Sequence, residues 1–390
     1  ASTSNSMRKK LSLLAILFLV AAGSAYAYDF SAVTSSGHTL YYKIISSGSV
    51  EVTYPGVDIY SCWNSYTRPT GALVIDSTVI SGNTTYTVTS IGRVAFDGCT
   101  GLTSVSIPNS VTNIGSGAFE CCSSLYSVII PNSVTDIDSL AFVYCTGLSS
   151  ITIPNSVINI GYGVFGCTGL TSISIPTSVS SIGDWAFYGC SGITSVTYNA
   201  INCTSVGSSS CPVFDSCPNM TSVTIGNNVQ SIPSFLFHGC TGLTSVIYNA
   251  TNCLSAGSSS NPVFSSCPNI TSVTIGNNVN SIPAHLLHNC TRLTSITIPN
   301  AVNSIGNSAF NGCTELTSVT IGNGVTTIGD GAFSGCSSLL SVIIPNATTT
   351  IGCSAFSNCT SLSSVSLGNG VTTIGSDAFS DCSSLTSITI

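Results

Sequence analysis

The chain has 390 residues, of which 43% are hydrophobic and only 5% charged, with seven basic residues against fourteen acidic ones and a formal net charge of −7. So few Lys and Arg leave no basic footprint for nucleic acid or for an anionic membrane surface. Ser, Thr, Asn and Gly fill the exposed positions instead, so solubility rests on hydroxyls and amides, and the apolar content belongs to an interior rather than to lipid spans.

In chain order, residues 1–27 read as a leader and secretory signal. Met7, Arg8, Lys9 and Lys10 precede an apolar run from Leu11 to Ala22, and Ala25, Tyr26 and Ala27 form a small-residue cleavage site. The run is too short to cross ~30 Å of hydrocarbon as an anchor. Cleavage before Tyr28 leaves Lys43, Arg68, Arg93 and Arg292 as the only basic residues against fourteen acidic ones. No membrane insertion is expected after cleavage, and no Cys follows the site to carry a lipid. The address predicts a secreted or cell-surface location.

Residues 28–90 differ in texture from the rest of the chain. Leu40 to Ile45 and Val50 to Tyr54 read as a β-hairpin, and Leu73 to Ile75 and Tyr86 to Val88 as further strands. They are expected to form a β-rich N-terminal cap over the open end of a repeat array.

From residue 91 to 390 the chain is periodic. Aligned on one cysteine, it falls into thirteen rungs, from Cys99 and Cys122 to Cys359 and Cys382, stepping by 23 residues with one step of 22 and two of 27. Three residues after the cysteine stands Leu or a near substitute (Leu102, Leu125, Ile193, Met220), then Val or Ile three further on, then a third apolar residue after two more. This is an L-x-x-L-x-L signature. The alternation of Ser104, Val105, Ser106 and Ile107 predicts a short strand with one face buried. Pro108 and Asn109, or Gly322 and Asn323 in a later rung, end it. A second apolar stretch, Val111 to Ile114, and the pair Ala118 and Phe119 complete the inward set. The fold class is therefore mainly β, a solenoid of about 13 rungs, each stabilised only by stacking on its neighbours. At ~4.8 Å per rung the body is roughly 60 Å long. The chain begins with Ala and stops at Ile390, inside a strand, which reads as a fragment lacking a C-terminal anchoring or sorting segment.

The block from Cys99 through Leu102, Val105, Ile107, Asn109, Ile114 and Gly115 to Ala118 and Phe119 resembles the BspA-like surface proteins, which carry the Treponema-type leucine-rich repeat. The resemblance covers about residues 85–390. The two longer rungs, Tyr198 through Cys203 to Phe214 and Tyr248 through Cys253 to Phe264, are similar to a variant rung of such proteins in Bacteroidetes. The resemblance implies a leucine-rich-repeat solenoid and, for some members, cell-surface adhesion.

Nineteen cysteines in a secreted chain admit two readings. They are a disulfide framework, or thirteen ladder cysteines stacked at one inward site as small hydrophobes. The odd number favours the second. Cys62, Cys121, Cys203, Cys211, Cys253 and Cys353 lie off the ladder. Cys203 and Cys211 share one insert and could close a local loop, although Asn261 replaces Cys211 in the matching rung.

The search for chemistry returns decoys. Gly161, Gly163 and Gly166 spell G-x-G-x-x-G, but a dinucleotide site needs that motif between a strand and a helix. His285 and His288 suggest a metal pair, yet His288 takes the rung position of His238 and of the Gly of most rungs, a turn. Asp136 and Asp138 resemble paired carboxylates but fall in a turn without a His, Lys or Arg nearby. No catalytic, cofactor or metal site is expected, and the chain does not read as an enzyme.

The exposed strand face is a lawn of hydroxyls. Its first position is Ser in every rung, and its second is Ser or Thr except at Ile129, Ile247 and Ile343. With neighbouring Tyr126 and Leu340, these form the candidate binding surface, because interfaces draw their energy from a few large apolar anchors. They fall on rungs two, seven and eleven, about 24 and 19 Å apart at ~4.8 Å per rung. The expected partner is an extracellular protein or glycan. The alternative is a passive spacer or stalk without a specific ligand.

Overall fold

The structure, a computed structural model, describes residues 28–59 and 62–389. The leader and signal sequence, and Ile390, lie outside the described residues. Every regular element among them is a strand, and the repeats wind into a parallel β-solenoid of about 13 turns.

The first strands form a hairpin sheet. β1 (Phe30–Val33), β2 (Thr39–Ser46) and β3 (Ser49–Thr53) pair antiparallel in that order. β3 then pairs parallel with β6 (Thr84–Ile91), against whose outer side β5 (Thr78–Ser81) folds back antiparallel. β4 (Gly71–Val74) pairs parallel with β7 (Leu102–Ser106), and β6 with β8 (Asn113–Ile114). The strands of this region thus run directly into the two ladders of the repeats. The anticipated hairpin is present as β2 and β3, and β4 and β6 carry the other two expected strands. β1 and β5, four residues each, are strands beyond those expected.

Most rungs contribute a longer strand to one ladder and a two-residue strand to a second. Pairing is in register, so Ser104, Val105 and Ser106 face Ser127, Val128 and Ile129, and Asn113 and Ile114 face Asp136 and Ile137. Register follows from the alternation, since a slip of one residue would expose every inward side chain. The long ladder is not continuous. No strand forms at Ile151 and Ile153, although Ile153 stays buried and Ile151 packs on the core.

Two inward columns organise the core. Phenylalanines stack face to face along the axis, with Phe96 to Phe119 at 5.1 Å and Phe119 to Phe142 at 5.2 Å between ring centroids. The stack continues to Phe264, is interrupted at Leu287, and resumes from Phe310 to Phe379. Beside it run the cysteines. Cys122, Cys145, Cys336 and Cys359 each donate a thiol hydrogen bond to the carbonyl of the phenylalanine one rung earlier, at 3.1–3.3 Å.

One cysteine leaves this column, contrary to the expectation of a single inward site. Phe165 and Cys167 are two residues apart where other rungs have three, so Thr168 takes the ladder place. Thr168 is buried, donates to the carbonyl of Phe165 at 2.9 Å and lies 3.3 Å from Cys190 Sγ. Cys167 instead packs half-buried in a separate outer cluster with Leu140, Val143, Trp185 and Tyr188.

The turn that precedes the ladder residue needs a left-handed backbone. Gly98, Gly189 and Gly335 supply it with φ of 67°, 66° and 74°, but Cys167, Ser216, Ser266 and Asn289 hold it as well. Glycine adopts this conformation freely, and an L side chain does so at a cost of about 1–2 kcal/mol.

Candidate binding surface

The long ladder presents its alternate residues outward. On that face Tyr126 is 58%, Ile129 63%, Ile247 38%, Leu340 56% and Ile343 71% exposed. Ile129 stands beside Ser106, Ile247 between Thr224 and Thr274, and Ile343 beside Ser366. Each isoleucine is thus an apolar point within a hydroxyl surface. Tyr126 adjoins Ile129 in its rung, and Leu340 adjoins Ile343, so rungs two and eleven carry matching doublets. The structure does not merge the five into one patch.

The residue before the first outward Ser forms a column of its own, which the strand alternation alone does not reveal. The hydroxyls of Thr171, Thr194, Thr221, Thr244 and Thr271 each donate to the backbone carbonyl of the same column one rung earlier, at 3.2–3.5 Å. Thr317, Ser363 and Thr386 do the same further along, at 3.0–3.2 Å. These hydroxyls tie rungs together rather than wait for a ligand. Tyr126 and Leu340 sit in this column without a hydroxyl that can make the bond, and keep only the backbone amide contacts to Thr103 and Thr317 at 3.0 and 3.3 Å.

The expected decoys gain definite surroundings. Gly161 to Gly166 leads from one short strand into a turn beside no helix. Asp136 is not in a turn but opens a short strand with Ile137, because Asn113 and Asn159 flank it in register. Its carboxylate accepts from Asn159 Nδ2 and Thr135 Oγ1, both at 2.6 Å. Asp138 accepts from Asn113 Nδ2 at 3.3 Å, and burial raises its pKa, with Asp136 adding to the rise. The two carboxylates are therefore engaged with amides of neighbouring rungs. His288 does share the rung position of His238, but the glycine position is one residue later, at Asn289, where φ is 62°. The rings of His285 and His288 are 6.0 Å apart, and burial lowers the pKa of His288. Among the described residues no group of three or more His, Cys, Asp or Glu is placed to hold a metal ion.

Off the ladder, Cys203 and Cys253 occupy a second inward column, beside the buried Tyr198 and Tyr248. Their thiols donate to the carbonyls of Ser205 and Ser255 at 3.5 and 3.2 Å. Cys211 is half-buried near Asp184 and, like Cys203, carries a free thiol, so no bridge closes the loop between them.

The long inserts shape a cleft that sequence reasoning did not anticipate. It has a volume of about 510 Å³, with Thr204, Ser205 and Gly207 on one side, Pro233, Ser234 and Phe235 as floor, and Ser255 and Gly257 opposite. No single rung carries its signal, because it arises from two inserts separated by a rung that lacks one.

The repeats match the BspA type leucine rich repeat region over residues 77–194, 165–294, 210–339 and 280–390. Among solved structures, a leucine-rich repeat protein from Bacteroides ovatus is 28% identical, with 93% of this chain and 94% of that chain covered at a TM-score of 0.48. A leucine rich cell surface protein from Faecalibacterium prausnitzii is 23% identical, with 92% and 94% covered at a TM-score of 0.38. A leucine rich repeat protein of T. pallidum is 22% identical, with 75% and 90% covered at 0.37. No curated protein matches the chain.

Proposed function

The chain belongs to the BspA-type leucine-rich repeat proteins, and on that premise we propose that it is a secreted or cell-surface binding protein, adhesin-like, whose strand face engages an extracellular protein. The observation that carries this reading is the set of exposed large apolar side chains, Tyr126, Ile129, Ile247, Leu340 and Ile343, on a face otherwise made of Ser and Thr. Apolar anchors within a polar surround concentrate binding energy, and their spread over rungs two to eleven suits a macromolecule better than a metabolite. The departures from the repeat on this face are aliphatic or aromatic and bring no carboxylate, His or Cys, which favours recognition over catalysis. The surplus of acidic over basic residues argues against nucleic acid. The basic, apolar and small-residue regions before Tyr28 support export, and among the described residues no helix is long and apolar enough to cross a membrane.

A second reading, a passive spacer, draws on the hydroxyl column, whose side chains serve rung stacking. A pull-down of host matrix proteins and bacterial surface material on the purified chain separates the two. An adhesin retains a specific protein and loses it when Ile129, Ile247 and Ile343 are all replaced by Thr; a spacer retains nothing specific.

A further inference from the structure

The geometry points to a second binding site, on a different edge of the solenoid from the strand face, in which the cleft between the two long inserts takes a neutral carbohydrate. Rungs five and seven carry the extra residues, and each folds them into a small knuckle. In the first, Ser208 and Cys211 form an antiparallel bridge; in the second, Gly257 bridges Pro262. Rung six has no insert, so the segment from Ser231 to Phe235 lies recessed between the knuckles. The resulting volume of about 510 Å³ falls within the usual ~300–1,000 Å³ of small-ligand sites. At two rung spacings, ~10 Å, the opening suits one or two sugar rings rather than a folded segment of protein.

The backbone contributes as well. The short-strand ladder runs from β6 to Ser181 and Ile182, ends at the bridge between Ser181 and Ser205, and resumes with Ser231 and Ile232 against Ser255 and Ala256. No ladder pairing joins Ser205 to Ser231, and the cleft lies at that interruption.

The lining chemistry selects the ligand class. Thr204, Ser205, Ser231, Ser234 and Ser255 bring hydroxyls, each able to donate and accept. Ser231 Oγ and Ser255 Oγ are 2.9 Å apart, so they form a connected pair that joins rung six to the wall formed by rung seven. Phe235 and Pro233 supply apolar faces, and an edge contact with His238, 5.9 Å between centroids, positions the Phe235 ring. No lining residue is charged, and the neighbouring carboxylate of Asp184 stands behind Gly207. A phosphate or carboxylate would meet that charge with no cation to offset it. A pyranose, with hydroxyls at its edge and a C–H face that packs on an aromatic ring, matches every part of the lining.

The test is saturation-transfer NMR followed by calorimetry on the full chain, with maltotriose, cellotriose, mannotriose, lactose and diacetylchitobiose as neutral probes and sialyllactose as the acidic one. At least one neutral probe binds, and sialyllactose binds no better than lactose. Phe235→Gly then weakens that binding about tenfold. This variant is chosen for its fold, since Phe235 has φ of 67° and the same rung position is held by Gly117, Gly163 and Gly331 with φ of 63°, 58° and 57°. Ser231→Ala combined with Ser255→Ala weakens it independently. The Ile129, Ile247 and Ile343 to Thr variant binds the sugar as the parent does, so failure of the strand-face reading leaves this result standing. Absence of transfer to every neutral probe, preference for the acidic one, or undiminished binding by Phe235→Gly overturns the proposal.

Discussion

Cys122 donates its thiol hydrogen to the carbonyl oxygen of Phe96 across 3.2 Å, and so ties its rung to the one before by a side chain as well as by strand pairing. Cys145 repeats the contact with Phe119 at 3.1 Å, and Cys382, near the end of the chain, with Phe356 at 3.1 Å. Sulfur suits this place because it fills apolar volume like a methyl-bearing side chain yet still satisfies a buried carbonyl weakly. Where Thr168 replaces it, the hydroxyl turns to the carbonyl of its own rung.

The ladder thiols should therefore be inert in the folded protein. Cys145 and Cys313 are fully buried, and burial raises the pKa of both well above that of a free thiol, whereas Cys353 is exposed. Iodoacetamide mapping of native protein should modify Cys353 and leave Cys145 and Cys313 unmodified. Denaturation without reductant should open all of them, and an intact mass showing many disulfides would contradict the arrangement.

The same burial predicts an alkaline weakness. Up to about pH 8.5, the free-thiol value, folded and unfolded chains both keep the proton and the thiols add no pH dependence. Above it the unfolded chain releases protons that the fold retains, so stability falls as pH rises. For Cys190 the loss runs until its folded pKa, pushed up by burial to about 11, and for Cys359 until about 12. Each such thiol steepens the fall by at most about 1.4 kcal/mol per pH unit. The melting temperature measured between about pH 7 and 11 should be flat at first and then drop cooperatively; a flat profile throughout would show the thiols to be titratable in place.

A backbone prediction concerns the turn before the ladder. Ser216 and Ser266 are exposed and hold φ of 57° and 58°, in the rung position where Gly335 has 74°. Ser216→Gly and Ser266→Gly should each raise stability by a few tenths to about 1 kcal/mol. Gly335→Val should lower it by about 1–2 kcal/mol through the backbone, since an added Cβ there meets nothing closer than 3.6 Å. Equal melting temperatures for all three variants would remove the left-handed turn as a factor.

The period, the inward alternation and the isolated isoleucines were legible because each is repeated or broken within one rung. Counting from the cysteine letter hid the displacement at Cys167. Counting from Phe165 reveals it, because the core spacing, not the residue name, decides which side chain enters the column. Cys203 and Cys253 were set aside as off the ladder for the same reason, though they fill the inward place that Val111 holds elsewhere. The cleft was illegible in principle to a rung-by-rung reading, since its walls come from rungs that are not adjacent. The hydroxyl column was passed over because it precedes the two outward positions of the strand, and its bonds depend on stacking geometry that a single rung does not contain.

That column frames the last prediction. Thr317 donates to Thr294 at 3.0 Å and Ser363 to Leu340 at 3.0 Å, but Leu340 has no hydroxyl to offer Thr317, and Tyr126 leaves the same gap above Thr103. Leu340→Thr and Tyr126→Thr should each restore a rung-to-rung hydrogen bond of about 0.5–1.5 kcal/mol, toward the low end at an exposed site. Both variants should melt at or above the parent temperature. If the apolar doublets are kept for recognition, the same substitutions should weaken capture of the protein partner, with the double variant weaker than either single one. Improved stability with undiminished capture would make these positions tolerant surface and move the binding face elsewhere. Lower stability would show that Tyr126 and Leu340 contribute packing that outweighs the missing bond. Only a gain in stability together with a loss of capture marks residues retained at the expense of the fold, and thermal melts beside pull-downs on three variants distinguish the three outcomes.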